Sequence, residues 1–278
     1  MKVIFILGSG HCGSTLLDLI LDSHSKIVGL GQCEKIGVKK TCACGKDFSE
    51  CNFWSDIIKN NHVFFNSKIN GIYRSKINFI FNKERYFIKN KKKAIKKNDY
   101  IEMTEFLYEL ALNKSNSSVI VDSSKNPDRV LALLRSKKIE PVVVHIVRDG
   151  RGVLWSYLKK KKKALPYLWK WVVSNLKVEA LRRRTRIPYV FVGYSQFSKD
   201  PEKEIKKILN QVDLVFEKEM INFRQFSHHQ AAGNKLRFGG DEKIKEDLEW
   251  QRKLPKKYNI LFLLFFGWLN WYYKNKKN

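Results

Sequence analysis

Val3-Ile4-Phe5-Ile6-Leu7, then Gly8-Ser9-Gly10-His11-Cys12-Gly13-Ser14-Thr15, then Leu16-Leu17-Asp18-Leu19-Ile20, is the stretch from which the fold is read. An apolar β-type run breaks into a glycine loop, and a helical pattern starts at once. Backbone N–H groups of such a loop, with the positive helix end behind them, make a ready anion site. Two patterns overlap here. Gly8, Gly10 and Gly13 fit G-x-G-x-x-G, while Gly8 and Gly13 frame a G-x-x-x-x-G-K-[ST] loop with Ser14 at the Lys position. Without that Lys, the group that reaches the outer phosphates of a triphosphate is missing, so phosphate binding is expected and triphosphate hydrolysis is not. The dinucleotide pattern asks for an acid about 20 residues on, closing a second strand. Glu34 is near that place, behind Gly29-Leu30-Gly31, which makes a poor strand end. His11, inside the loop, offers a donor to whatever the loop holds.

Outward from the loop, short β-branched or aromatic runs recur at Val119 to Val121, Val142 to Val147 and Tyr189 to Val192. Helical patterns cover Thr15 to Asp22, Asp99 to Asn113, Pro127 to Ser136, Gly152 to Lys162, Leu165 to Arg184 and Pro201 to Asn210. This alternation predicts an α/β three-layer fold with a central, mainly parallel sheet. With 278 residues and no Gly/Ser- or Pro-rich linker, one domain over 1–278 is expected, carrying a Cys-rich, then Lys-rich helical insertion at about 33–97.

A second anion site follows the run Val142 to Val147. Arg148-Asp149-Gly150-Arg151-Gly152 leads into a helix bearing Ser156. Arg148 at the strand's carboxyl end supplies a charge-assisted fork and Ser156 a hydroxyl. The bland alternative is a surface ion pair of Arg148 with Asp149.

With both sites in view, the chain resembles the sulfotransferases that use 3'-phosphoadenosine 5'-phosphosulfate, particularly a bacterial branch with G-x-G-[RH]-x-G-[ST]-T-L-L. The resemblance implies a P-loop-like fold in which Gly10, His11, Cys12, Gly13, Ser14 and Thr15 hold the 5'-phosphosulfate. Arg148, with Ser156 eight positions later, would then hold the 3'-phosphate. Asp122-Ser123-Ser124-Lys125-Asn126-Pro127 is similar to the family's central D-S-S-K-x-P segment and implies Lys125 at the transfer face. Tyr194 resembles a tyrosine near the adenine, although Gln196 stands where the family has Asp. Gly233-Asn234-Lys235-Leu236-Arg237 is similar to the late loop over the nucleotide, implying Asn234 and Arg237 as contacts. After Gly31 relatives carry a Glu that can serve as base. Here Gln32 follows, and Glu34 is expected to take over. The implied activity is direct in-line sulfuryl transfer to a hydroxyl or amine, with His11 and Lys125 stabilising charge and no catalytic metal.

Charge narrows the acceptor. Lys and Arg number 54 against 27 acids, a formal +27, so an acidic or sugar-rich partner is expected, a glycan or glycolipid first. The runs Lys91 to Lys93 and Lys159 to Lys163 read first as solvated surface. Basic residues spread along the chain without a zinc-finger, KH or RNP pattern, so no specific nucleic acid is expected. The remaining alternatives are a P-loop kinase and a non-enzymatic polyanion- or nucleic-acid-binding protein.

Four of the five cysteines, Cys33, Cys42, Cys44 and Cys51, crowd one segment. Four thiolates can hold structural zinc, but C-x8-C-x-C-x6-C lacks paired C-x2-C knuckles, and reduced thiols in a compact loop are the favoured reading. A reducing cytoplasm is implied. The tail Ile260 to Tyr273, flanked by lysines, is too short to span a membrane. It reads first as a core helix and second as an interfacial helix on the anionic inner membrane face.

Overall fold

The computed structural model describes residues 1–36, 41–59, 77–78, 87–88, 97–160, 164–240 and 244–276. The lysine run at 91–93 and most of the expected insertion lie outside the described residues. Strands are β1 (Lys2–Leu7), β2 (Ile27–Gly31), β3 (Ile77–Asn78), β4 (Phe87–Ile88), β5 (Val119–Asp122), β6 (Glu140–Val147) and β7 (Tyr189–Gly193). Helices are α1 (Ser14–Asp22), α2 (Trp54–Lys59), α3 (Lys97–Ser115), α4 (Pro127–Leu133), α5 (Gly150–Leu158), α6 (Ala164–Arg184), α7 (Tyr194–Lys199), α8 (Pro201–Leu209), α9 (Glu249–Lys253) and α10 (Lys256–Asn275). The sheet order is β2-β5-β1-β6-β7, so the α/β class with a parallel sheet holds, while β3 and β4 form a separate antiparallel pair. Among the described residues no helix is long and apolar enough to cross a membrane.

The chain forms two compact units. The first comprises Met1–Phe5, Thr15–Pro141 and Glu217–Gly240; the second comprises Ile6–Ser14, Val142–Phe216 and Asp241–Asn278.

In the first unit β5 pairs in parallel with both β1 and β2, in register from Val119 against Lys2 and Ile27. β2 is a strand the sequence reading did not find, and the reason is physical. A side chain at Gly29 would lie 2.5 Å from Asp18, and one at Gly31, which has φ +66, would lie 2.6 Å from the Ala232 carbonyl. The strand needs glycines because other chain segments press against it. At the end of β5, Asp122 forms a buried ion pair of 2.8 Å with Arg129 of α4 and accepts from the Tyr108 hydroxyl of α3 at 2.6 Å. Breaking so enclosed a pair by removing one partner costs ~3–5 kcal/mol. This network anchors the turn that carries Ser123 to Asn126, with Ser124 N donating to Asp122 at 2.8 Å.

In the second unit β6 and β7 pair in parallel from Val143 opposite Tyr189 to Val147 opposite Gly193. α5 starts at Gly150, two residues earlier than the apolar pattern suggested, because Asp149 caps it by accepting from Arg151 N at 2.9 Å. Trp171 of α6 and Phe262, Leu269 and Tyr273 of α10 are buried in one core cluster. The tail is therefore a core helix along one face. Its other face is not covered: Ile260, Leu264, Phe265, Trp268 and Trp271 are all at least 57% exposed.

Candidate active site

In the second unit the glycine loop takes its shape from close approaches. A side chain at Gly8, which has φ +144, would sit 2.3 Å from the Ile146 carbonyl, and one at Gly13, with φ +100, 2.7 Å from the Tyr194 ring. Only glycine fits where the loop lies against β6 and Tyr194. His11 also has a positive φ, +61. Its ring meets the Tyr157 ring edge-on at 4.7 Å, and its Nε2 lies 3.4 Å from Lys160 Nζ. Cys12, within the loop, is fully buried. The Ser14 hydroxyl is buried with no hydrogen-bond partner. An unmet hydroxyl at a helix N-terminus, in a loop of this type, fits an anion as its missing partner.

Arg148 reaches the same loop. Its Nη1 donates to the His11 carbonyl at 3.4 Å, and its guanidinium lies over the Tyr194 ring at 4.7 Å. The expected alternative partner, Asp149, is taken by Arg151 at 2.8 Å; Arg148 instead pairs with Asp247 at 3.0 Å. Burial alone would raise the Asp247 carboxyl, but the Arg148 charge prevails and holds it below the ordinary range. Asp247 N also donates to the Tyr194 hydroxyl at 3.2 Å, so Arg148, Tyr194 and Asp247 form one constellation. Asp247 is a member that no sequence motif pointed to. Gly152 makes room for the fork, since a side chain there would come within 2.9 Å of Arg148 Nε. Ser156, buried one helical turn on, lies on the face of α5 that Gly152 presents and donates to the Gly152 carbonyl at 2.9 Å.

The first unit carries the other candidates. Glu34 sits on a 3-10 turn, Cys33–Lys35, directly after β2. Its Oε2 accepts from Asn126 Nδ2 at 3.2 Å, which sets the carboxyl beside the turn that holds Lys125. Burial pushes the Glu34 carboxyl up, against the opposing effects of the Arg129 charge and the Asn126 hydrogen bond. A carboxyl lifted toward neutrality suits proton abstraction. Lys125 itself has φ +62, and Asn126 caps α4 by accepting from Asp128 N at 3.1 Å.

Thr15 Oγ1 accepts from Asn234 N at 3.1 Å, which seats the late loop on α1. Asn234 caps a 3-10 turn over Lys235–Phe238 by accepting from Lys235 N at 2.6 Å. Arg237 is buried, with Nη2 on the Thr41 carbonyl at 3.0 Å and Nη1 on the Gly233 carbonyl at 3.5 Å. Its Nε has no partner, a second unmet buried donor in the residue set.

The cysteine expectation needs a correction. Cys33 does not belong with Cys42, Cys44 and Cys51. Its Sγ donates to Asp122 at 3.2 Å and receives Arg129 Nη2 at 3.5 Å, deep in the ion-pair network of β5. The residue that joins the other three is His229, distant in sequence and missed for that reason.

A family model described as the sulfotransferase family matches residues 3–218. Among solved structures, the sulfotransferase domain of the olefin synthase from Synechococcus PCC 7002 is 15% identical, with TM-score 0.57, covering 95% of this chain and 94% of that one. The sulfotransferase domain of the curacin biosynthetic pathway is 13% identical, with TM-score 0.56, covering 95% and 96%. At such identities these two speak for the fold. No curated protein matches the chain.

Proposed function

The chain belongs to the sulfotransferase family, and from that premise we propose that it moves the sulfuryl group of 3'-phosphoadenosine 5'-phosphosulfate to a hydroxyl or amine of an acceptor, a glycan or glycolipid. The observation that carries the choice of donor is the loop itself, where Ser14 holds a buried unpaired hydroxyl and Arg148 lies against the His11 carbonyl.

When bound, the nucleotide supplies a sulfuryl group activated by its 5'-phosphate. Gly10 to Thr15 bind the 5' end through loop N–H groups and the Ser14 hydroxyl. Arg148 and Ser156 hold the 3'-phosphate, where a guanidinium fork adds orientation to charge. Tyr194, under that fork at 4.7 Å, serves the adenine side. Asn234 and Arg237 hold the nucleotide from the late loop, and the unpaired Arg237 Nε is the group available for it. Glu34 takes the acceptor's proton on a carboxylate oxygen, steered by Asn126. His11 and Lys125 supply donors to oxygens that gain charge. The +27 charge supports an acidic or sugar-rich acceptor, and the exposed face of α10 supports peripheral attachment to the anionic inner face of the membrane from a cytoplasmic location.

Calorimetric titration with 3'-phosphoadenosine 5'-phosphate, ADP and Mg-ATP tests the donor. Binding should require the 3'-phosphate and weaken about 10- to 150-fold in Arg148→Ala, the loss of ~1.5–3 kcal/mol carried by hydrogen bonds to a charged group. A preference for Mg-ATP turns the reading to a kinase; the absence of any nucleotide binding turns it to a polyanion-binding protein.

A further inference from the structure

Cys42, Cys44, Cys51 and His229 bring four donor atoms within 4.8 Å of one another. Cys42 and Cys51 sulfurs are 3.5 Å apart, and His229 Nδ1 lies 3.3 Å from Cys51 Sγ and 3.7 Å from Cys42 Sγ. A tetrahedral zinc with Zn–S of ~2.3 Å and Zn–N of ~2.0 Å has S···S edges of ~3.8 Å and S···N edges of ~3.5 Å. The three edges agree within a few tenths of an ångström. A disulfide needs ~2.05 Å between sulfurs, and all these cysteines are unbridged.

The surroundings hold the donors in place. Residues 41–47 close a tight turn through the Thr41 to Asp47 bridge, with Cys42 N donating to the Lys46 carbonyl at 2.9 Å and Gly45, at φ +87, donating to the Cys42 carbonyl at 3.0 Å. Ala43 N donates to the Gln230 carbonyl at 3.1 Å, and Trp54 Nε1 to the His229 carbonyl at 2.6 Å. The Phe53 ring stacks on the His229 imidazole at 5.3 Å and 12°, which fixes the ring with Nδ1 toward the sulfurs. Three soft sulfurs with one imidazole suit zinc, and four protein ligands leave no open position.

We propose that Cys42, Cys44, Cys51 and His229 bind one structural zinc ion, which clasps the 41–51 loop to the segment leading into Asn234 and Arg237. The clasp bears directly on Arg237, because Thr41, whose carbonyl receives Arg237 Nη2, immediately precedes the first ligand. This assignment stands apart from the sulfuryl-transfer reading.

The test is metal analysis of the full chain purified from zinc-supplemented cells, with cobalt exchange as a second readout. About one zinc per chain is expected. Cobalt replacement should give the sulfur-to-metal charge-transfer band and intense visible bands of a tetrahedral thiolate site, and chelation should lower the melting temperature. Cys33→Ala should keep the metal; Cys51→Ala and His229→Ala should lose it. Should the last two fail to fold, the wild-type stoichiometry and cobalt spectrum decide alone. A folded wild-type chain that holds no zinc and takes up no cobalt, or one with a Cys42 to Cys51 disulfide, overturns the proposal. So does metal kept by His229→Ala and lost by Cys33→Ala.

Discussion

The proposed base role of Glu34 rests on where the residue sits, just after β2, partly buried and hydrogen-bonded by Asn126. Burial raises its pKa, so the carboxylate is lost, and activity with it, as pH falls through a value above the ordinary range for Glu. Glu34→Gln should lower the rate of sulfuryl transfer by about 100-fold or more and abolish that acid limb, leaving calorimetric binding of 3'-phosphoadenosine 5'-phosphate unchanged. In Asn126→Ala a donor that favours the charged form is gone, so the acid limb should move to higher pH instead of vanishing. An unchanged rate in Glu34→Gln removes the base role. At this scale the loop glycines were legible from local spacing, and Gly8 and Gly13 are positions where a side chain would clash, while Lys125 was singled out only by the resemblance of its segment to the sulfotransferase family. Asn126 carries no local sign of its role, because its carboxylate partner is 92 residues away. His229 had no local signal at all, its sulfur neighbour Cys51 being 178 residues distant.

At the scale of elements, α10 does more than cover the sheet. Asn270, which interrupts the apolar run, accepts from Gly150 N at 3.1 Å and donates to Asp149 at 3.0 Å, so the tail grips the start of α5 just after Arg148. A side chain at Gly150 would lie 2.4 Å from the Phe262 ring. Gly150→Ala should therefore destabilise the chain by ~1–3 kcal/mol, the cost of overpacking a filled core. Denaturant unfolding measures this, and Gly150→Ala combined with Phe262→Leu should recover part of the loss. Additive effects of the two substitutions would show that Phe262 is not what Gly150 makes room for. Continuous apolar strands such as β1 and β6 were readable because burial on both faces leaves few polar residues in them, the buried His145 of β6 being satisfied by Tyr189 and Asn175. β2 was not, since its two glycines serve close contacts that only the folded chain reveals. α7 was missed for another reason: at six residues, it is too short for a helical period to register.

For the whole molecule, a formal +27 favours anionic partners, and the exposed groups of α10 are where the proposed membrane contact is tested. Ile260, Leu264, Trp268 and Trp271 recur at helical spacing on the uncovered face of α10, opposite the buried Phe262, Leu269 and Tyr273. Beside them a groove of about 390 Å³ is lined by Trp268, Leu176, Arg183 and Arg184. Lys256, Lys257 and Lys274 are exposed on the same helix. Apolar side chains to enter an interface, with cations to meet anionic headgroups, are what a peripheral helix needs. Replacing Phe265, Trp268 and Trp271 together by Ser should leave the fold intact, because all three are exposed, and should cut flotation with phosphatidylserine vesicles about tenfold or more. Wild-type binding should also weaken from 0.05 to 0.5 M salt as screening shortens the reach of the lysines, roughly in line with a Debye length falling from above 10 Å to below 8 Å. Wild-type protein that stays with the unbound fraction at low salt would exclude a membrane and leave a protein partner for this face.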